Sequence, residues 1–246
     1  MSTAERNLKN QVALVSGASS GIGRAIALAL GSEGAEVCLV GRRREILAEV
    51  AELVSNRGGS ARVCSCDLLR EEHLRALAHR VETEFGRLDL LILAAGTISY
   101  GAAAEASLAD LDLQYAVNVR APYVLTQLTL PLIRKACGQI VFINSSAGLA
   151  ASANTGQYSA TKHALRAVAN SLRDEVNPDG VRVLSVYPGR TATPMMAAFY
   201  AKEGRLYRPE LLLQPEDIAA MVTHALKLPT TAEVTEISIR PLRKTY

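Results

Sequence analysis

Short apolar runs alternate with longer helical stretches along nearly the whole chain, and that alternation leaves few folds open. Val12–Ser16, Glu36–Val40, Arg62–Ser65, Leu88–Ala95, Gln139–Asn144, Val181–Tyr187 and Thr235–Ile239 read as strands. Gly21–Ser32, Glu45–Asn56, Glu71–Phe85, Leu108–Lys135, Tyr158–Asn177 and Pro215–Leu228 read as the helices between them, several stopped by glycine or proline. Leu88–Ala95 is almost continuously apolar, as a strand covered on both faces must be. Strands separated by covering helices predict a three-layer α/β/α fold around a doubly wound parallel sheet of about seven strands. Hydrophobic residues make up 49% of the 246, enough for a sizeable core. With aromatics at 4% and no Trp, that core is built mainly of Ala, Val, Leu and Ile. No linker or shift in composition divides residues 1–246, so one domain is expected.

Residues 193–213 break the pattern. The stretch carries Pro194, Gly204 and Pro209 and mixes Met, Phe and Tyr with charges. It reads as a long loop, either plain or a mobile flap over a substrate cleft; its place beyond a strand's carboxyl end favours the flap.

Charge and cysteine content exclude several classes. A net charge of +3, with no basic block longer than Arg42–Arg44, does not point to nucleic acid. No apolar run is long enough for a bilayer, and the first residues lack an apolar signal core, so the cytoplasm is the expected location. Cys38, Cys64, Cys66 and Cys137 lack metal-ligand spacing, and His73, His79, His163 and His224 are scattered. The thiols read as structural, with Cys64 and Cys66 on one face of a strand, and no metal is expected.

Ser16-Gly17-Ala18-Ser19-Ser20-Gly21-Ile22-Gly23 joins the first strand to the first helix. Glycines there allow a tight turn, close approach of backbone to a pyrophosphate, and close packing of helix on sheet. The helix N-terminus offers unpaired N–H groups to phosphate, and Ser19 and Ser20 can add hydroxyls. At the end of the second strand, where a carboxylate would grip an adenosine ribose, stand Gly41, Arg42 and Arg43. Guanidinium groups can fork onto a 2′-phosphate, although Arg42–Arg44 also suit a solvated helix start. The missing acid together with the added base favours NADP(H) over NAD(H). Asp67, before Leu68, ends the third strand and equally suits a helix cap.

Tyr158 and Lys162 are four residues apart near a helix start, which puts them on one face. A phenol titrates at about pH 10, and a nearby ammonium favours its phenolate. Ser145 lies thirteen residues before Tyr158, at a strand end, with Ser146 beside it and Gly148 three residues on. Its hydroxyl can donate to a substrate carbonyl, or serve as an ordinary turn residue. Asn118 falls inside a predicted helix, where Asn competes for backbone hydrogen bonds.

In this order and spacing the motifs resemble the short-chain dehydrogenase/reductase family, and the resemblance runs from Val12 to the last strand. It implies a Rossmann-type fold and an oxidoreductase that interconverts a small-molecule carbonyl and alcohol. Asn118, Ser145, Tyr158 and Lys162 are its implied catalytic set, with Tyr158 as general acid/base. Lys162 would tune the phenol and hold the nicotinamide ribose, Ser145 would position the carbonyl, and Asn118 would sit at a helix kink holding a water. For the cofactor the resemblance implies contacts from Gly17, Ser19, Ser20, Gly21, Ile22, Gly23, Arg42, Arg43, Asp67, Leu68, Ala95, Gly96, Tyr158, Lys162, Pro188, Gly189, Thr191 and Thr193. Asp67 would meet the adenine edge, Thr191 (mainly by backbone) and Thr193 the carboxamide. Leu93-Ala94-Ala95-Gly96 departs from the family's Asn-Asn-Ala-Gly, which puts local rigidity in question. Association through Leu108–Lys135 and Tyr158–Asn177, as homotetramer or homodimer, is also implied. Two other readings stand beside this one. A non-catalytic dinucleotide-binding sensor or scaffold has no need of all four residues. Reduction of a 3-oxoacyl group on a carrier protein needs a basic docking patch, for which Arg120, Arg166 and Arg173 are candidates.

Overall fold

Seven strands lie in one parallel sheet of order β3-β2-β1-β4-β5-β6-β7 in the computed structural model, which describes residues 6–243. They are β1 (Val12–Ser16), β2 (Glu36–Gly41), β3 (Ser60–Ser65), β4 (Leu90–Leu93), β5 (Gln139–Ile143), β6 (Arg182–Pro188) and β7 (Glu236–Ile239). The helices are α1 (Gly21–Ser32), α2 (Arg44–Ser55), α3 (Glu71–Phe85), α4 (Leu108–Tyr115), α5 (Ala121–Lys135), α6 (Gly156–Val176), α7 (Pro194–Lys202) and α8 (Pro215–Lys227). This is the three-layer Rossmann-type arrangement expected. The opening segment read as lacking a signal core lies partly outside the described residues, at Met1–Glu5.

Period-two alternation divides the strands β1 to β6 between two cores, while β7 faces only the first. On one face Ala13 and Val15 of β1 meet Ile26 and Leu30 of α1, Leu47 of α2 and Val222 of α8. On the other Val12 and Leu14 meet Leu74 of α3, Leu125 of α5 and Leu165 of α6. Each such side chain contributes about 1.5–3 kcal/mol on full burial. Cys38, Cys64 and Cys66 are buried in this second core, so Cys64 and Cys66 do share a face.

Two readings need correction. The helix expected over Leu108–Lys135 is not continuous: between α4 and α5 a π-helical turn spans Ala116–Arg120, with Asn118 at its centre. Residues 193–213 are not a bare loop. Thr193 caps α7, its Oγ1 accepting the Met196 N–H at 3.2 Å, and Pro194 occupies the first turn. A 3₁₀ turn follows at Pro209–Leu211. The Thr-Pro start and the Gly204 stop are ordinary helix boundaries that the surrounding breakers obscured.

The strand order reverses between β1 and β4, and the turns leaving these two strands touch. Gly17 has φ +70°, and a Cβ there would lie 2.8 Å from the Ala95 nitrogen. Gly23 is equally constrained, a Cβ meeting the Gly17 oxygen at 2.5 Å. Buried Ser16 ties the two turns together. Its hydroxyl accepts the N–H groups of Ala94 (3.1 Å) and Ala95 (3.3 Å) and donates to the Ile92 carbonyl (3.4 Å). The bracing that the family assigns to Asn is therefore supplied here from the β1 side. Ser16→Ala strands both N–H groups at a cost of about 1–3 kcal/mol. Thermal denaturation should show Tm lower by roughly 3–10 °C at this chain length, with Ser16→Thr restoring most of the loss.

Candidate active site

The carboxyl ends of β1, β4, β5 and β6 converge on one edge of the sheet, where doubly wound folds hold their ligands. From β1 comes the glycine turn. Ser20 precedes α1 in extended conformation and makes no side-chain cap, and the first turn of α1 holds no acidic residue. The helix N-terminus is thereby left to an anion from outside, and the close contacts at Gly17 and Gly23 form a cradle that side chains would fill. These residues fit a dinucleotide pyrophosphate. Ile22 is half-buried against the first core. After β2, Arg43 donates to Ser19 Oγ at 3.2 Å, and Arg42 and Arg43 are both exposed.

Asp67 does not cap α3. Its carboxylate accepts the Leu69 N–H at 3.1 Å, while His73 Nδ1 takes the Asp67 N–H at 3.3 Å. Leu68 packs against the second core. Ala95 is held by Ser16, and Gly96 faces two of the candidate catalytic side chains. A Cβ at Gly96 would lie 3.4 Å from Asn118 Oδ1 and 3.9 Å from Lys162 Nζ.

Beyond β6, Gly189 N–H bonds the Ile239 carbonyl at 2.7 Å, extending the pairing of Pro188 with Ile239. Thr191 bridges Leu213, with the hydrogen bonds running through Arg190 and Ala192. In a parallel bridge this turns the Thr191 amide away from Leu213. The Thr191 hydroxyl donates to the Gly189 carbonyl at 3.0 Å. Thr193 reaches the glycine turn: its Cγ2 lies 3.0 Å from the position of a Cβ on Gly21. Contacts thus run round the crevice from both ends.

Tyr158, Lys162, Ser145 and Asn118 meet at the mouth of this edge. Tyr158 is 9% exposed and Lys162 3%, both near the start of α6. Lys162 Nζ donates to the Ile143 carbonyl at 3.2 Å and lies 5.8 Å from the centre of the Tyr158 ring. Ser145 caps the 3₁₀ turn Ser146–Gly148, its Oγ accepting the Ala147 N–H at 3.1 Å, and its hydroxyl stands beside the Tyr158 phenol. Asn118 clamps Thr97, with Oδ1 accepting its N–H at 2.8 Å and Nδ2 donating to its carbonyl at 2.9 Å. Nδ2 also donates to Thr161 Oγ1 of α6 at 3.1 Å. The π turn is what points this side chain inward.

Electrostatics depart from expectation in one respect. Burial pushes the Tyr158 phenol well above its usual range, with the Ser145 hydrogen bond opposing and Tyr100 reinforcing the rise. Burial also pulls Lys162 down to about 8. The lowering of Tyr158 by the ammonium is not seen in this form, because Lys162 is turned to the Ile143 carbonyl. A neutral phenol is the protonation state that donates. Sequence reasoning also missed Tyr100, whose ring stands 5.9 Å from that of Tyr158. Its only signal was an aromatic shortly after the fourth strand.

Residues 11–204 match the family model for short chain dehydrogenase. The chain belongs to that family. It is 33% identical to an uncharacterized oxidoreductase of Staphylococcus epidermidis over 236 residues, covering 96% of this chain and 99% of the relative. An alcohol dehydrogenase from the archaeon Thermococcus sibiricus, complexed with 5-hydroxy-NADP, superposes with TM-score 0.87 at 28% identity, covering 97% of this chain and all of that one. A metagenomic short-chain oxidoreductase in complex with NADP gives TM-score 0.84 at 33% identity, again with 97% and 100% coverage. This short-chain dehydrogenase is an NAD(P)-dependent oxidoreductase acting on carbonyl and alcohol groups.

Lys162 sets a pH signature. Its folded pKa of about 8 lies below the 10.5 of an unperturbed lysine, so above pH 8 the folded chain sheds a proton that the unfolded chain keeps. Stability therefore rises with pH through that window. In urea denaturation without cofactor, wild type should gain about 2 kcal/mol over Lys162→Met between pH 7 and pH 9.5.

Proposed function

We propose that this enzyme uses NADP(H) in preference to NAD(H) and reduces a ketone or aldehyde with Tyr158 as the proton donor. The observation that carries the reading is the convergence of Tyr158, Ser145, Lys162 and Asn118 beside Gly96, which adjoins the glycine turn through Ala95. A bound nicotinamide supplies or accepts the hydride. Tyr158 Oη gives its proton to the carbonyl oxygen as charge develops there, and the Ser145 hydroxyl donates a second hydrogen bond to that oxygen. Lys162, whose Nζ lies 5.8 Å from the centre of the Tyr158 ring, would stabilise the phenolate left behind once turned toward it. Asn118, through Thr97 and Thr161, holds the turn after Gly96 against α6 and so keeps the pair in register.

For the cofactor, Gly17, Ser19, Ser20, Gly21, Ile22 and Gly23 hold the pyrophosphate end. Asp67 and Leu68 face the adenine, and Pro188, Gly189, Thr191 and Thr193 the carboxamide. Preference for NADP(H) rests on Arg42 and Arg43, with Arg43 already directed onto Ser19 and no carboxylate at the end of β2. Residues 193–213, now with α7, cover the substrate. Among the described residues no helix is long and apolar enough to cross a membrane, and a cytoplasmic enzyme suits the chain. Association into dimers or tetramers is supported by exposed Leu108, Leu113, Tyr115 and Tyr123 along α4 and α5.

Neither alternative gains from the geometry. A sensor would not need four polar groups gathered on one reacting position. The arginines offered for carrier-protein docking are committed: Arg120 to Glu71 at 2.6 Å, Arg166 to Glu236 at 3.4 Å, and Arg173 to the carbonyls of Val183 and Thr235.

A screen of ketones, aldehydes, sugars, steroids and acyl thioesters with both cofactors tests the reaction class. Tyr158→Phe should bind NADPH normally and lose turnover by about 100- to 10,000-fold; near-normal turnover would refute the assignment. Arg43→Ala removes charge-assisted hydrogen bonds to a 2′-phosphate and should raise the KM for NADPH about 10- to 100-fold. The KM for NADH should stay nearly constant, and equal losses with both cofactors would count against NADP(H) selection.

A further inference from the structure

Rings around the phenol form a connected wall that the reaction itself does not require. Tyr100, from the segment after β4, leans on Tyr158 and meets Phe199 of α7 edge-on, centroids 4.6 Å apart at 77°. Phe199 in turn meets Tyr200 at 6.1 Å, and the Tyr200 hydroxyl accepts from Arg190 at 3.0 Å, beside the nicotinamide loop. Tyr200 is the one buried residue of α7, and none of the main packings between helices and strands involves this helix. The pairing of Phe199 with Tyr100 links α7 to the ring beside Tyr158.

A phenol only 9% exposed must be uncovered before a carbonyl can reach it. Phe199 is half-buried and stands on the least anchored helix, whereas Tyr100 stands on the segment that Asn118 clamps at Thr97. Phe199 is thus the ring that yields, and Tyr100 the ring that remains. Once Phe199 moves, Tyr100 presents a π-system with a negative face and positive edge beside the reacting position. An aromatic group on the substrate restores the edge-to-face pairing that Phe199 had made. A saturated ring of similar size fills the same space and regains only its burial.

We propose that Tyr100 is a specificity-determining residue, selecting carbonyl substrates whose reacting carbon bears a flat aromatic ring, which takes the place of Phe199 against Tyr100. This rests on the reductase reading above and adds the substrate class to it.

The test compares acetophenone with cyclohexyl methyl ketone, using NADPH, in wild type, Tyr100→Leu, Tyr100→Phe and Phe199→Leu. The intrinsic reactivities of the two ketones cancel when the ratio of their kcat/KM values is compared between proteins. Tyr100→Leu should cut the acetophenone/cyclohexyl ratio about three- to tenfold, chiefly through KM for acetophenone. Tyr100→Phe, which keeps the ring, should hold the wild-type ratio. Phe199→Leu should leave the ratio intact or lower the KM for acetophenone, since the displaced ring is gone. A ratio unmoved by Tyr100→Leu, or moved equally by Tyr100→Phe, overturns the proposal. NADPH fluorescence titration of the same samples separates the levels of failure. Bound NADPH, turnover of the saturated ketone and none of acetophenone overturn this inference alone, whereas a wild type that binds no NADPH overturns the reading beneath it as well.

Discussion

Everything at the site depends on two backbone turns touching where the strand order reverses. The turn after β1 and the turn after β4 come so close that Gly17 has no room for a Cβ against Ala95. Two strands of a parallel sheet bring their carboxyl ends level, but they do not by themselves hold the departing loops together. The Ser16 hydroxyl does that, by accepting two adjacent N–H groups from the neighbouring loop. With that loop fixed, Gly96 lies where Asn118 and Lys162 can approach it, and the dinucleotide crevice and the proton-transfer group become one site.

Burial then sets the chemistry. Tyr158 and Lys162 have both been taken out of water, and desolvation drives each toward its uncharged form. For Tyr158 this is useful in the direction of reduction, since a phenol must hold its proton until a carbonyl oxygen needs it. For Lys162 it is a cost, offset in part by the hydrogen bond to the Ile143 carbonyl. On the proposed reading, anionic and hydroxyl groups of a dinucleotide held at Lys162 would favour the ammonium.

How far the sequence foretold this depended on the range of each interaction. Strand and helix alternation, the glycine turn, and Tyr158 with Lys162 one turn apart are local patterns, and local patterns were legible. The π turn at Asn118 was foreshadowed by the misplaced Asn and by the kink that the resemblance implied there, but not by composition, because a helix that widens by one residue keeps the composition of a helix. Thr193-Pro194 would have announced α7 had the glycine and prolines around it not dominated the reading. Asp67 looked like a helix cap, yet the structure gives its carboxylate to the Leu69 N–H, because Arg70 intervenes before α3 begins. Tyr100 and Phe199 are 99 positions apart, and nothing short of the folded sheet could show that their rings meet.

The same contrast in range separates the chemistry of such a site from its choice of substrate. Hydride and proton transfer need groups whose relative positions are set by the sheet, covered on both faces, and by the buried face of α6. Selectivity is carried by a ring on the β4–α4 segment and a ring on a weakly packed helix. Neither ring belongs to either core, so these side chains can change without disturbing the strands beneath. Asn118 is where the two systems join: it holds Thr97, three residues before Tyr100, and at the same time Thr161, one residue before Lys162. One buried amide thereby ties the wall that would meet the substrate to the helix that bears the proton donor, and a carbonyl seated against Tyr100 is brought into register with the Tyr158 oxygen.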